Sequence, residues 1–181
     1  TDKHLSLMKR YSENLMLVLD ADTAGLRATA RSAELALRQG LRVKAARLPK
    51  GKDPADIISE DPKEFAKRIT AAKPIVEFFL AELAAGESDP HRLHRSAESI
   101  VLPLISAMPS PMEREHFVQS TARTLGLSEE SVRESLKRVP KFSETASTAP
   151  SPQKTQGAAR APSLIRAEQL VGPGHRQLHR V

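Results

Sequence analysis

Leu15 to Leu19 are five apolar residues in a row, and the run ends at Asp20 and Asp22 around Ala21. An unbroken apolar run fits a parallel strand buried on both faces better than an alternating surface strand. From Thr23 to Gln39 the apolar positions recur at helical spacing, and Gly40 closes the segment. From Leu41 to Leu48 the period becomes two: Leu41, Val43 and Ala45 alternate with Arg42, Lys44 and Ala46, which predicts a strand with one half-exposed face. Strand, helix and strand in this order predict a βαβ unit with parallel strands and a right-handed crossover.

The pattern then turns wholly helical. Asp53-Pro54 reads as an N-cap followed by proline at the first helical position, and Asp89-Pro90 repeats the signal. Pro74 opens a helix with Ile75, Phe78, Phe79 and Leu83 on one face. Leu93, Ala97, Ile100, Val101, Leu104 and Ile105 form a further stripe, which Pro103 should kink or split. Ser110 to Glu113 has the form of a capping box, Gly126 ends the helix that follows, and Ser128 starts a last one reaching about Arg138. Short connections favour antiparallel packing of these helices. The predicted class is α/β followed by all-α.

The chemistry suggested by this layout concentrates at the strand ends. In open α/β sheets, sites form outside the carboxyl ends of the strands. Asp20 and Asp22 are placed there, with the oxygen donors that a hard cation such as Mg²⁺ takes. Asp22 or Thr23 also suits a helix cap, and Asp53 has a complete explanation as the N-cap before Pro54. Five cations, Arg42, Lys44, Arg47, Lys50 and Lys52, precede Asp53 with no acid among them. Acids beside a basic run suit a phosphate-bearing substrate, whereas Arg42 and Lys44 also fit a merely solvated strand face. His91 and His94 stand three apart with no third ligand nearby and read as surface residues, and no role falls to His175 or His179.

At this point a family resemblance appears. Leu7-Met8-Lys9-Arg10-Tyr11, then LVLDADTAG, then ARLPKGKDPADII resemble the second half of the TOPRIM domain of bacterial replicative DNA primases of the DnaG type. The stretch Ser99 to Ile105 and the turn Leu125-Gly126-Leu127-Ser128-Glu129-Glu130 are similar to the helical subdomain that follows it. The resemblance covers roughly residues 1–138 and implies a partial TOPRIM unit, a small helical bundle and a disordered tail. It divides the chain into the C-terminal half of TOPRIM at 1–72, a helical subdomain at 73–139, a flexible linker at 140–163 and a truncated tail at 164–181.

Residue by residue, the resemblance makes Asp20 and Asp22 the catalytic ligands of Mg²⁺ or Mn²⁺ in RNA primer synthesis. Lys50, Lys52, Asp53 and Asp56 become phosphate or metal support. Ala55 stands where some members carry a second acid, and Asp56 is shifted by one. The implied enzyme is a DNA-directed RNA polymerase, a nucleotidyltransferase of the bacterial cytoplasm. Its substrates are ribonucleoside triphosphates, a single-stranded DNA template and the growing RNA primer. The family's glutamate, its N-terminal zinc module and its C-terminal domain for the replicative helicase are not expected in these residues, so this piece alone is expected to be inactive. Leu164 to Leu170 resembles the start of that last domain as a first helix.

Composition narrows the alternatives. The chain has 181 residues, no cysteine and therefore no disulfide or Cys-ligated zinc. No apolar run approaches the roughly 20 residues of a membrane span. The net charge of +6 is mostly a property of the tail, because residues 1–138 hold 22 Lys/Arg against 20 Asp/Glu. With aromatics at 3%, one Tyr and no Trp, the chain lacks the stacking platform many single-strand binders use. Residues 140–162 are rich in Ser, Thr, Ala, Pro and Gln and lack the apolar content for a core. Besides a primase, the remaining classes are another TOPRIM protein (nuclease, topoisomerase or recombination mediator) and a non-catalytic α/β binding module. A topoisomerase needs a catalytic tyrosine, and the single Tyr11 lies upstream of the acids on a predicted helix.

Overall fold

A computed structural model of the chain describes residues 2–19, 26–49, 51–140 and 164–165. A short helix α1 (Asp2–Lys9) leads into strand β1 (Asn14–Leu19), helix α2 (Leu26–Arg38) and strand β2 (Arg42–Arg47). Helices α3 (Pro54–Glu60) and α4 (Pro62–Thr70) follow, then a two-residue strand β3 (Lys73–Pro74). The bundle is α5 (Ile75–Gly86), α6 (Pro90–Ala107), α7 (Pro111–Leu125) and α8 (Glu129–Arg138), and a two-residue strand β4 (Leu164–Ile165) comes last. Tyr11 stands in the turn after α1, not on the helix, and is exposed.

β1 and β2 are parallel neighbours in register from Asn14↔Arg42 to Leu19↔Arg47, as the βαβ reading requires. The sheet order is β3-β2-β1-β4, with β3 and β4 antiparallel to their neighbours. One face, with Leu15, Leu17, Leu19, Val43 and Ala45, joins the main core formed with α2 and α5 to α8. Among the described residues, the opposite face is covered only toward its carboxyl end, where Val18 and Leu48 meet Ile57 of α3 and Phe65 of α4. This explains a departure on β2. Arg42 and Lys44 are exposed as the alternation predicts, but Ala46 on the same face is buried.

Gly40 adopts φ +76 after α2, a left-handed conformation that a side chain resists. The proline-led helix starts are all present: Asp53, Asp89 and Ser110 cap α3, α6 and α7, each with proline at the first turn. Only the Ser110 half of its box forms, with the Glu113 amide donating to Ser110 Oγ at 3.3 Å. Gly126 ends α7 at φ +66 and Ser128 caps α8. Asp61-Pro62 is a fourth cap of the same kind that the sequence reading passed over; Asp61 accepts from the amides of Lys63 and Glu64.

Two expectations need correction. Of the kink or split expected at Pro103, the split does not occur, and α6 runs unbroken for 18 residues. A helix proline leaves the carbonyl four residues back without its donor. That residue is Ser99, which is exposed, so water can serve it. Leu164 and Ile165 do not begin a helix; they pair with Leu17 and Met16 along the outer edge of β1, where extended backbone finds hydrogen-bond partners. The expectations of a linker and a disordered tail otherwise fall on residues outside those described.

Candidate functional site

The carboxyl ends of β1 and β2 lie side by side. Leu19 and Arg47 are register partners, and the Leu48 amide donates to the Leu19 carbonyl at 2.8 Å. The chain segments leaving both strands therefore start next to each other. Asp20 and Asp22 follow Leu19 directly in sequence, but they and Lys50 lie outside the described residues.

The Lys52 amide donates to the Pro49 carbonyl at 3.3 Å, closing a four-residue turn. Its third residue, Gly51, has φ +79, which glycine adopts without penalty. Asp53 and Asp56 then form a reciprocal capping box. The Asp56 amide donates to Asp53 Oδ1 at 2.9 Å, and the Asp53 amide donates to Asp56 Oδ2 at 3.0 Å. This gives Asp56 a local structural role that the sequence reading missed, although an acid three residues after an N-cap is its usual signature.

The basic run divides into paired and unpaired members. Arg47 is held against α5 by Glu82 at 2.6 Å, and its carbonyl accepts from Arg68 Nη1 at 3.2 Å. Lys52 pairs with Glu60 at the last residue of α3, with both side chains well exposed. Arg42 and Lys44 are exposed and form no ion pair among the described residues. The structure thus brings Lys52, Asp53 and Asp56 onto one loop and helix start, and sets Arg42 and Lys44 on the uncovered half of the sheet.

The histidines behave differently from one another. His91 is exposed, whereas His94 is half-buried with Nε2 3.1 Å from the Leu125 carbonyl, in the last turn of α7. His94 is thus a tie between two helices, which its polar sequence neighbours concealed. Among the described residues no group of three or more His, Cys, Asp or Glu is placed to hold a metal ion. The strongest electrostatic cluster is elsewhere, on the bundle. Arg133 of α8 bonds to Glu115 of α7 and to Glu129 at 2.7 Å, with Glu130 at 3.8 Å. The hydrogen bond from Arg133 holds the Glu115 carboxyl below its ordinary range.

Comparison with known proteins gives this geometry its context. Residues 1–58 match the sequence model of the Toprim-like family, and residues 96–130 match that of the DnaB-helicase binding domain of primase. The DNA primase of Escherichia coli K12 is 31% identical over 159 residues, which make up 84% of this chain and 27% of that protein. Over most of its length the chain is similar to bacterial DNA primases of the DnaG type.

Solved primase structures agree in fold. A DNA primase domain from Pseudomonas aeruginosa matches with a TM-score of 0.58 at 25% identity, over 76% of this chain and 44% of that one. A DnaG primase catalytic domain bound to single-stranded DNA matches with a TM-score of 0.58 at 28% identity, over 72% of this chain and 43% of that one. The chain spans about a quarter of the length of the curated primases it matches. The helicase-related match falls on residues 96–130, inside α6 to α8, whereas the sequence reading expects at most the start of a helicase-binding domain, at Leu164 to Leu170. No helix among the described residues is long and apolar enough to cross a membrane.

Proposed function

We propose that this chain supplies part of the catalytic centre of a primase. The enzyme would join ribonucleotides into short RNA primers on single-stranded DNA at the replication fork, in the bacterial cytoplasm. The observation that carries the reading is the Leu48–Leu19 hydrogen bond, which sets the ends of two parallel strands side by side in a chain related to DNA primases. In this reading Asp20 and Asp22 hold Mg²⁺ or Mn²⁺, since a hard cation takes carboxylate oxygens. The bound metal would neutralise triphosphate charge and stabilise in-line displacement.

The residues of the β2 loop have complementary work. In this reading the charges of Lys50 and Lys52 would serve the phosphates of the incoming ribonucleotide. The exposed Lys52–Glu60 pair is worth about 1 kcal/mol or less, so a phosphate can displace Glu60 at little cost. Asp53 and Asp56, through their mutual capping, fix where the loop ends and α3 begins. The match of residues 96–130 supports docking of a replicative helicase on the bundle, and a single-stranded DNA template is supported by the DNA-bound relative.

The test is Asp20→Ala in a longer primase carrying these residues. Primer synthesis should be abolished while circular dichroism and melting stay as in the parent. Normal primer yield would overturn the assignment.

A further inference from the structure

We propose that the end of the bundle formed by the start of α6 and the close of α7 is a contact surface for the phosphate backbone of single-stranded nucleic acid. The inference rests on the primase reading for its choice of partner and adds a site to it. The sequence brings His91, Arg92, His94 and Arg95 into the first two turns of α6, and Arg123 into the last turn of α7. The 3.1 Å contact from His94 Nε2 to the Leu125 carbonyl joins these two helix ends. His91, Arg92, Arg95 and Arg123 are all exposed.

The arginines at this end are not locked into close salt bridges. Arg95 and Arg123 make no ion pair among the described residues, and Arg92 makes only a 3.6 Å contact with Asp89 while its side chain is 75% exposed. The acids at the start of α8, Glu129 and Glu130, are turned to Arg133 instead. Cations in the first turns of a helix also oppose its dipole. Like α2, α6 carries no acid in its first turn, and the carboxylate at its start is the Asp89 cap. Unpaired arginines on an exposed surface are what a polyanionic backbone recognises.

A protein partner fits this surface less well, because protein interfaces are anchored by apolar and aromatic residues packed into pockets. Of the exposed large apolar side chains among the described residues, Leu127 alone lies near this end in sequence, while Met112 sits at the other end of α7.

The experiment is fluorescence anisotropy of a labelled oligo-dT strand titrated with the chain at several salt concentrations. Wild type should bind with a steep salt dependence. The triple variant Arg92→Ala/Arg95→Ala/Arg123→Ala should bind on the order of tenfold more weakly and lower the salt slope by about 2, near 0.7 for each lost phosphate contact. A control pair on α4, Lys63→Ala/Lys67→Ala, should leave affinity and slope unchanged, and melting should show the triple variant folded. Wild-type affinity and slope in the triple variant, equal loss in the control, or no binding by wild type would each overturn the proposal. So would a triple variant that keeps DNA affinity but loses a replicative helicase. Binding through these arginines in a protein whose longer parent makes no primers would keep this surface and remove the primase reading.

Discussion

The amide of Leu48 and the carbonyl of Leu19 meet at 2.8 Å, one residue beyond β2 and at the last residue of β1. Because the strands are parallel and in register, this bond fixes the relative origin of two loops. One starts with Asp20, and the other leads through Gly51 to Asp53. The proposed chemistry depends on that juxtaposition, and the predictions nearest the site probe the β2 loop.

Asp53 separates stability from activity. Its carboxylate accepts from the Asp56 amide, so Asp53→Ala should lower stability by about 0.5–2 kcal/mol. Asp53→Asn keeps an acceptor oxygen and should melt within a degree or two of the parent. If the charge also serves the metal–phosphate site, the Asn variant of a longer primase loses most of its primer synthesis. An Asn variant with unchanged melting and unchanged activity would reduce Asp53 to a cap.

Gly51 tests the turn that carries the lysines. No atom lies within 4 Å of where a Cβ would stand, so only the backbone opposes a side chain there. At φ +79, Gly51→Ala should cost about 1–2 kcal/mol, and Gly51→Asn less, because Asn tolerates the left-handed region. Chemical denaturation of the two variants checks the order. Equal stability of Ala and Gly would mean the turn relaxes freely.

The parallel strands and the helix starts were legible because each has a local cause. An apolar run predicts burial on both faces, and an acid or serine before proline fits a cap with the first helical position. Asp61-Pro62 follows the same rule. Other features depend on distant partners. Nothing local to Leu164-Ile165 says that it will meet Met16 and Leu17, and nothing around His94 names the Leu125 carbonyl. The burial of Ala46 follows from α3 and α4 covering half of one sheet face, which strand periodicity cannot show. At the site, the pairing of Lys52 with Glu60 depends on the course of α3, whereas the answer of Asp56 to Asp53 was legible in the spacing of an acid three residues after an N-cap. The proposed ligands Asp20 and Asp22 rest on sequence position and family resemblance.

Acidification should loosen the α7–α8 contact. Arg133 lowers the Glu115 carboxyl, and Lys137 lowers that of Glu134. A carboxyl depressed in the folded state stabilises fully above its unfolded value, near 4.3, and that contribution is lost as pH falls through the lowered folded value. Melting temperature measured from pH 6 downward should therefore fall less steeply below about pH 4.3 in Arg133→Ala than in wild type. Because the groups are exposed, the difference should shrink at high salt. Parallel pH profiles would show that the cluster adds nothing to folding.

Thr121 offers a test inside the core. It is fully buried on α7 beside Val118 and Ala122, and its hydroxyl finds no hydrogen-bond partner among the described residues. A helical threonine can usually bond back to the carbonyl four residues earlier, and here it does not. A buried polar group without a partner carries its desolvation penalty, on the order of 1–3 kcal/mol. Thr121→Val keeps the branched shape, removes the hydroxyl and should raise stability by about 1 kcal/mol. Thr121→Ala removes the hydroxyl and also the packing methyl, so the lost contacts should offset the gain and leave it below Val. The comparison is informative because both variants remove the same polar group, and only the packing differs. Urea melts of the three proteins, with equal slopes, give the ranking. A Val variant less stable than wild type would mean that the Thr121 hydroxyl has a partner in solution, such as an ordered water, and that α7 is held in the bundle by a polar contact as well as by packing.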